Sequence, residues 1–225
     1  MKGAPIKSRS LRQKLKTGKG RSVSSKAWLE RQINDPYVRA AKAEGYRSRA
    51  AYKLIEMNEK HRFLKRGMTV ADLGAAPGGW TQVAVSIVGD SGRVVGIDIQ
   101  EMDAIPGATI MKLDFMDNAA PDALKKALGG PVNAVLSDMA SPATGHRETD
   151  HIRIMALCET ALEFALEVLS PGGTFLAKVL RGGTEKLLLE TLKKRFTKVV
   201  HVKPPASRAD SAEMYVLALG FKAPL

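Results

Sequence analysis

The spacing of apolar and polar positions divides the chain in two. Residues 24–60 read as short helical pieces rich in charge. Asn34-Asp35-Pro36 breaks the first piece and Gly45 the second, and Ser48 is expected to cap a helix over SRAAYKLIEMNEK. From residue 68 the period changes. Short apolar runs at 68–73, 93–98, 109–113, 132–137, 173–180, 197–202 and 214–219 read as strands, with helical stretches at 79–88, 121–128, 150–169 and 183–195. VNAVLS and TFLAKVL do not alternate cleanly, which is how parallel strands covered on both faces read. The expected fold is α/β: a Rossmann-like, doubly wound sheet of seven mostly parallel strands with helices on both faces. Ligands of such sheets bind at the carboxyl ends of the strands.

Composition sets the outer bounds. With 225 residues, 44% of them apolar, the chain can bury one sizeable core. It has no apolar run of transmembrane length, and its basic start lacks the apolar stretch of a secretory signal. A single cysteine, Cys158, excludes an internal disulfide. The His and Cys spacing suits no zinc site, and no metal is expected.

Charge adds a second boundary. The formal net charge is +12, yet residues 1–26 hold nine Lys or Arg and no acid, so the remainder carries an excess of only three. Residues 1–23 are therefore expected to be a flexible basic arm, and residues 24–225 one domain with a basic helical segment over 24–66. Over residues 39–66, Arg39, Lys42, Arg47, Arg49, Lys53, Lys60, Arg62, Lys65 and Arg66 face only Glu44, Glu56 and Glu59. The arm suits a polyanion bound through counterion release. A solubilising tail and a mitochondrial transit peptide are the alternatives, and the expected location is cytoplasmic unless the arm is such a peptide.

The first strand runs into DLGAAPGGW, residues 72–80. This is neither a phosphate-binding P-loop, which needs Lys after its last glycine, nor the G-x-G-x-x-G of a dinucleotide site. Pro77 also lacks the N–H that a pyrophosphate would need. One nucleotide feature survives: Asp98 ends the second strand, 20 residues after Gly78, where an acid can accept from ribose hydroxyls. Asp114 ends the third strand and Asp138 the fourth. Taken singly, a strand-end Asp is more often a turn cap than a ligand. Three beside a glycine loop form an acidic rim suited to a positively charged ligand with a ribose, such as S-adenosylmethionine, and unsuited to NAD.

Lys178 interrupts the apolar run TFLAKVL near its end, where burial is costly unless the lysine is paired or neutral. Glu213 opens EMYVLALG; if that strand runs antiparallel, Glu213 shares the edge with Asp138 and Lys178. Lys53 comes from the basic helix just upstream of the first strand. Together these four could move a proton beside a cofactor.

These residues carry a resemblance. WLERQINDPYV, YRSRAAYKL, GMTVADLGAAPGGWTQ, LSDMASPATG, LSPGGTFLAKV and SRADSAEMYVLALG resemble segments of the RrmJ/FtsJ (RlmE-type) ribosomal RNA ribose 2′-O-methyltransferases, over about residues 21–220. The resemblance implies a methyltransferase domain with a catalytic tetrad of Lys53, Asp138, Lys178 and Glu213. It implies S-adenosylmethionine contacts at Gly78, Trp80, Asp98, Asp114 and Asp138. It also implies a uridine substrate in large-subunit ribosomal RNA, met on the assembled subunit by a monomeric enzyme. Other RNAs, such as transfer RNA, and a non-catalytic ribosome-assembly factor are the alternatives. Cytosine C5 chemistry fits poorly, because Cys158 lies in an apolar helical stripe with Ile154, Ala161 and Ala165. For Lys178 to act as a base it must be neutral. Desolvation and Lys53 favour that form while Asp138 and Glu213 oppose it, and residue types alone leave the balance open.

Overall fold

A computed structural model describes residue 20 and residues 22–142, 144–181 and 186–222. Residues 1–19 and 21, almost the whole expected arm, lie outside the described residues. Three helices come first: α1 (Val23–Asn34), α2 (Pro36–Glu44) and α3 (Ala50–His61). The Ser22 side chain caps α1. Asp35 closes α1 and caps α2 by accepting from the Tyr37 amide, with Pro36 in the first turn, where its missing N–H costs nothing. Gly45 ends α2 in the left-handed conformation.

The expected cap of α3 is not formed. Arg49 occupies that position and its side chain makes no capping hydrogen bond, and Ser48 Oγ is buried without a partner among the described residues. Ser48 packs instead under Gly79, where a Cβ would strike its hydroxyl. Close packing of α3 on the glycine loop displaces the hydroxyl from the local bond its residue type favours.

The strands are β1 (Thr69–Leu73), β2 (Arg93–Asp98), β3 (Ala108–Lys112), β4 (Val132–Ser137), β5 (Leu169–Leu180), β6 (Phe196–Val202) and β7 (Glu213–Phe221). The helices between them are α4 (Gly79–Val88), α5 (Ala120–Leu128), α6 (Arg147–Val168) and α7 (Lys186–Arg195). Among the described residues the strands form one sheet in the order β3-β2-β1-β4-β5-β7-β6. β1 pairs in parallel with β2 and β4, β2 with β3, and β4 with β5, while β7 runs antiparallel between β5 and β6. β5 starts four residues before the expected 173, because Leu169 already pairs with Val132 ahead of a register shift.

Successive strand residues point to opposite faces, and both faces are covered. Ala71, Leu73, Val135, Phe175 and Ala177 pack with Leu124 of α5, Cys158 and Ala161 of α6, and Leu192 of α7. Val70, Leu136, Leu176, Tyr215 and Leu217 pack with Leu54 and Met57 of α3 and with Trp80 and Val83 of α4. Cys158 is thus a core residue, and burial pushes its thiol pKa up to about 12.

Candidate active site

Strand register brings the ionisable groups together. Glu213 and Tyr215 are two apart in β7 and share a face. Lys178 of β5 lies opposite Tyr215, and Leu180 opposite Glu213. Ser137, the end of β4, pairs with Ala177, so Asp138 emerges level with Lys178. This is the face that α3 covers, and α3 sets the Lys53 ammonium 5.6 Å from the centre of the Tyr215 ring.

The result is a closed network. Lys178 Nζ lies 2.8 Å from Asp138 Oδ1 and 3.6 Å from Glu213 Oε1, and donates to the Asp138 carbonyl at 2.9 Å. Lys53 Nζ donates to Glu213 Oε2 at 3.1 Å and to the Tyr215 hydroxyl at 3.0 Å. That hydroxyl donates to Asp138 Oδ1 at 2.8 Å. The lysine side chains are 7–8% exposed, while Glu213 is 31% exposed and opens the cluster to solvent.

The balance on Lys178 falls on the charged side. Burial works against the ammonium, but the Asp138 and Glu213 carboxylates outweigh it and hold the pKa above the ordinary lysine value. Burial likewise works against the Asp138 charge, yet Lys178 and Lys53 keep its carboxyl below the usual range. The same two cations depress Glu213 against its own burial. Burial, then Asp138 and Glu213, push the Tyr215 phenol far above its usual value, so it stays a neutral donor.

The glycine loop lies beside this cluster. Gly74 and Ala75 donate to the Ile97 carbonyl at the end of β2, and Asp138 N donates to Leu73 O at the end of β1. Gly74 has φ +76°, and a Cβ there would sit 2.7–2.9 Å from Met139. The β4 exit therefore leaves no room for a side chain. The Ala76–Pro77 peptide is cis. Gly78, at φ +112°, turns the chain into α4. The amides of Gly79, Trp80 and Thr81 open that helix and have no intrahelical acceptor.

The expected cofactor residues fall into two groups. Asp98 ends β2, with Oδ2 accepting from Ala76 N at 2.9 Å and Oδ1 from Gln100 N at 2.7 Å. Asp114 follows β3 by two residues and accepts from Met116 N. Both carboxylates cap turns, and a carboxylate has acceptor capacity beyond the bonds made here. Gly78 and Asp138 line the same edge. The Trp80 side chain does not reach that edge: its indole donates to Ala50 O at 2.9 Å and stacks near Tyr215, locking α3 to α4. Only its amide points out of the helix start.

Asp72, the first residue of DLGAAPGGW, has no role in the sequence reading. It is fully buried, with Oδ2 accepting from the Thr81 hydroxyl at 2.6 Å and Oδ1 without a partner among the described residues. Burial raises its pKa to about 7, with Asp138 and Asp98 adding to the shift. An acid inside the apolar run TVADL was the available signal. For Tyr215 the signal was its two-residue spacing from Glu213.

The basic helical segment is also less uniform than its composition. Arg49 turns inward to Asp35 at 3.0 Å and to the Ala206 carbonyl at 2.7 Å. Lys53 belongs to the cluster, and Arg47 donates to loop carbonyls.

No group of three or more His, Cys, Asp or Glu among the described residues could hold a metal, and no described helix is long and apolar enough to cross a membrane. The FtsJ-like methyltransferase family model matches residues 46–221. A protein of Parvibaculum lavamentivorans named ribosomal RNA large subunit methyltransferase E is 61% identical, over 98% of this chain and 91% of its own length. One of the same name from Paramagnetospirillum magneticum is also 61% identical, over 96% and 90%. A solved structure described as a ribosomal RNA methyltransferase of Plasmodium falciparum superposes with a TM-score of 0.69 at 30% identity, over 80% of this chain and all of that one. With the model matching residues 46–221 and relatives at 61% identity over nearly the whole chain, the chain belongs to the FtsJ-like methyltransferase family.

Proposed function

We propose that the chain transfers a methyl group from S-adenosylmethionine to a ribose 2′-hydroxyl in large-subunit ribosomal RNA. The target proposed is a uridine, reached on the assembled subunit in the cytoplasm by a monomer. The observation that carries the chemistry is the convergence of Lys53, Asp138, Lys178 and Glu213 at the strand edge beside the glycine loop. The names of the relatives support the RNA.

The donor set fits this cofactor. Carboxylates at Asp98, Asp114 and Asp138 suit a cation that carries a ribose. The amides opening α4, at the positive end of the helix, suit the carboxylate of its methionine part. Gly78, at φ +112°, turns the chain so that these amides open the helix, and Trp80 contributes through its amide. When bound, the cofactor supplies a methyl group activated by a sulfonium.

The remaining work falls to the chain's own residues. The Asp138 carboxylate and carbonyl fix the Lys178 ammonium, and Tyr215 fixes Asp138. Lys178 takes the hydroxyl proton at Nζ once it is itself neutral. The resting ammonium must therefore lose its proton first, and Lys53 supplies a neighbouring positive charge that helps it do so. Glu213, bridging both lysines, is the exit towards solvent. Alignment of the reacting atoms can contribute about 7–11 kcal/mol, and a positioned base about 10²–10⁴-fold.

The test is methyl incorporation from labelled S-adenosylmethionine into large subunits that lack the modification, with 2′-O-methyls mapped afterwards. A single new 2′-O-methyluridine is the expected result. Incorporation into a base, or into transfer RNA only, would refute the substrate.

A further inference from the structure

Arg47 lies in the turn between α2 and α3 and ties three segments together. Its amide donates to Gln82 Oε1 at 2.8 Å, and Gln82 Nε2 returns a bond to the Gly45 carbonyl at 3.0 Å. This reciprocal pair pins the turn to α4. The guanidinium reaches in the other direction. It donates to the Asp103 and Ala104 carbonyls, both at 2.7 Å, with Pro77 O at 3.5 Å. Asp103 and Ala104 lie in the segment 99–107, which leaves directly from Asp98. The next residue, Ile105, is buried, and its Cδ1 lies where a Cβ on Gly78 would be, 2.6 Å away; Arg47 Cδ is 3.1 Å from the same point. Arg47 and Ile105 thus close over Gly78 together.

Among the described residues Arg47 forms no ion pair, although it belongs to the basic helical segment. It places both terminal nitrogens on neutral backbone oxygens of the segment beside the expected ribose site. A fork with two short bonds fixes a backbone in position and orientation, which a lysine cannot do.

We infer that Arg47 is a positioning residue that holds segment 99–107 against the glycine loop and thereby sets the affinity for the cofactor, rather than a contact to RNA phosphate. The inference rests on the proposed S-adenosylmethionine site. It makes the N-terminal helices part of the cofactor site.

The test uses the full chain, with R47M keeping the aliphatic stem and R47K keeping the charge. Calorimetry without RNA should give an S-adenosylmethionine Kd raised roughly tenfold or more in R47M, since two charge-assisted bonds are removed. R47K should fall between R47M and wild type. Without cofactor, amide exchange at 99–107 should be faster in R47M and unchanged in β4 and β5. In turnover, the cofactor KM should rise far more than kcat falls. A cofactor Kd within twofold of wild type in both variants overturns the inference. So does a raised RNA KM with a lower salt slope in R47M, restored by R47K, since that marks a bond to phosphate. A wild-type chain that binds no S-adenosylmethionine refutes the cofactor site itself, which the variants alone cannot do.

Discussion

At the scale of single residues, function depends on charges held where water is scarce. Lys178 sits between two carboxylates that keep it protonated at rest. K178A should abolish methyl transfer and leave the calorimetric affinity for S-adenosylmethionine nearly intact, because the lysine holds no expected cofactor contact. Removing it leaves Asp138 short of a cation. Tyr215 still donates to that carboxylate, so the expected cost in stability is about 1–3 kcal/mol in a denaturant melt. Parallel loss of cofactor affinity would make Lys178 a binding residue instead. Asp72 gives a prediction in pH. Its carboxyl titrates near 3.8 when unfolded and at about 7 when folded. Between those values the unfolded chain is ionised while the native one keeps its proton, so stability falls as pH rises through that window. The fall contributed by this one group is as much as about 4 kcal/mol. D72N keeps an acceptor for Thr81 and cannot ionise. Melts of D72N from pH 4 to pH 8 should lack that fall, and an unchanged profile would place the titration elsewhere.

At the scale of elements, strand ends do two jobs at once. Asp98 closes β2, receives the Ala76 amide of the glycine loop and caps the turn to Gln100. The carboxylate is therefore a turn cap, and its role towards the proposed cofactor is a separate matter for measurement. D98A should weaken S-adenosylmethionine binding by about 1.5–3 kcal/mol in calorimetry, the worth of hydrogen bonds to a charged acceptor. Unchanged affinity would leave Asp98 a turn cap alone. α3 also combines roles. Leu54 and Met57 bury it on the sheet, Trp80 bonds its Ala50 carbonyl, and Lys53 emerges from the same face. This helix belongs to the basic segment, and its central lysine is part of the ionic cluster.

At the scale of the whole molecule, charge sets residues 1–23 apart from the rest of the chain. Deleting residues 1–20 removes Lys2, Lys7, Arg9, Arg12, Lys14, Lys16 and Lys19 and no residue of the described core. Cofactor affinity should be preserved. The slope of log affinity for ribosomal RNA against log salt should fall by roughly 0.7–0.9 for each phosphate that the shortened chain no longer neutralises. Identical slopes would remove the arm from the RNA-binding surface. The sequence by itself determined the alternation of strands and helices, the glycine loop, and the acids and lysines at or near strand ends. Those follow from residue type and from a period of two or 3.6, which neighbouring residues carry. Tertiary structure alone decided that Lys178 rests as an ammonium, that Tyr215 closes the network, that Asp72 is fully buried, and that Arg47 and Arg49 turn inward. Each depends on groups far apart in the chain, as with Lys53 and Glu213 at a separation of 160 residues. Water removal and charge pairing set these outcomes across those separations, and no local pattern encodes either one.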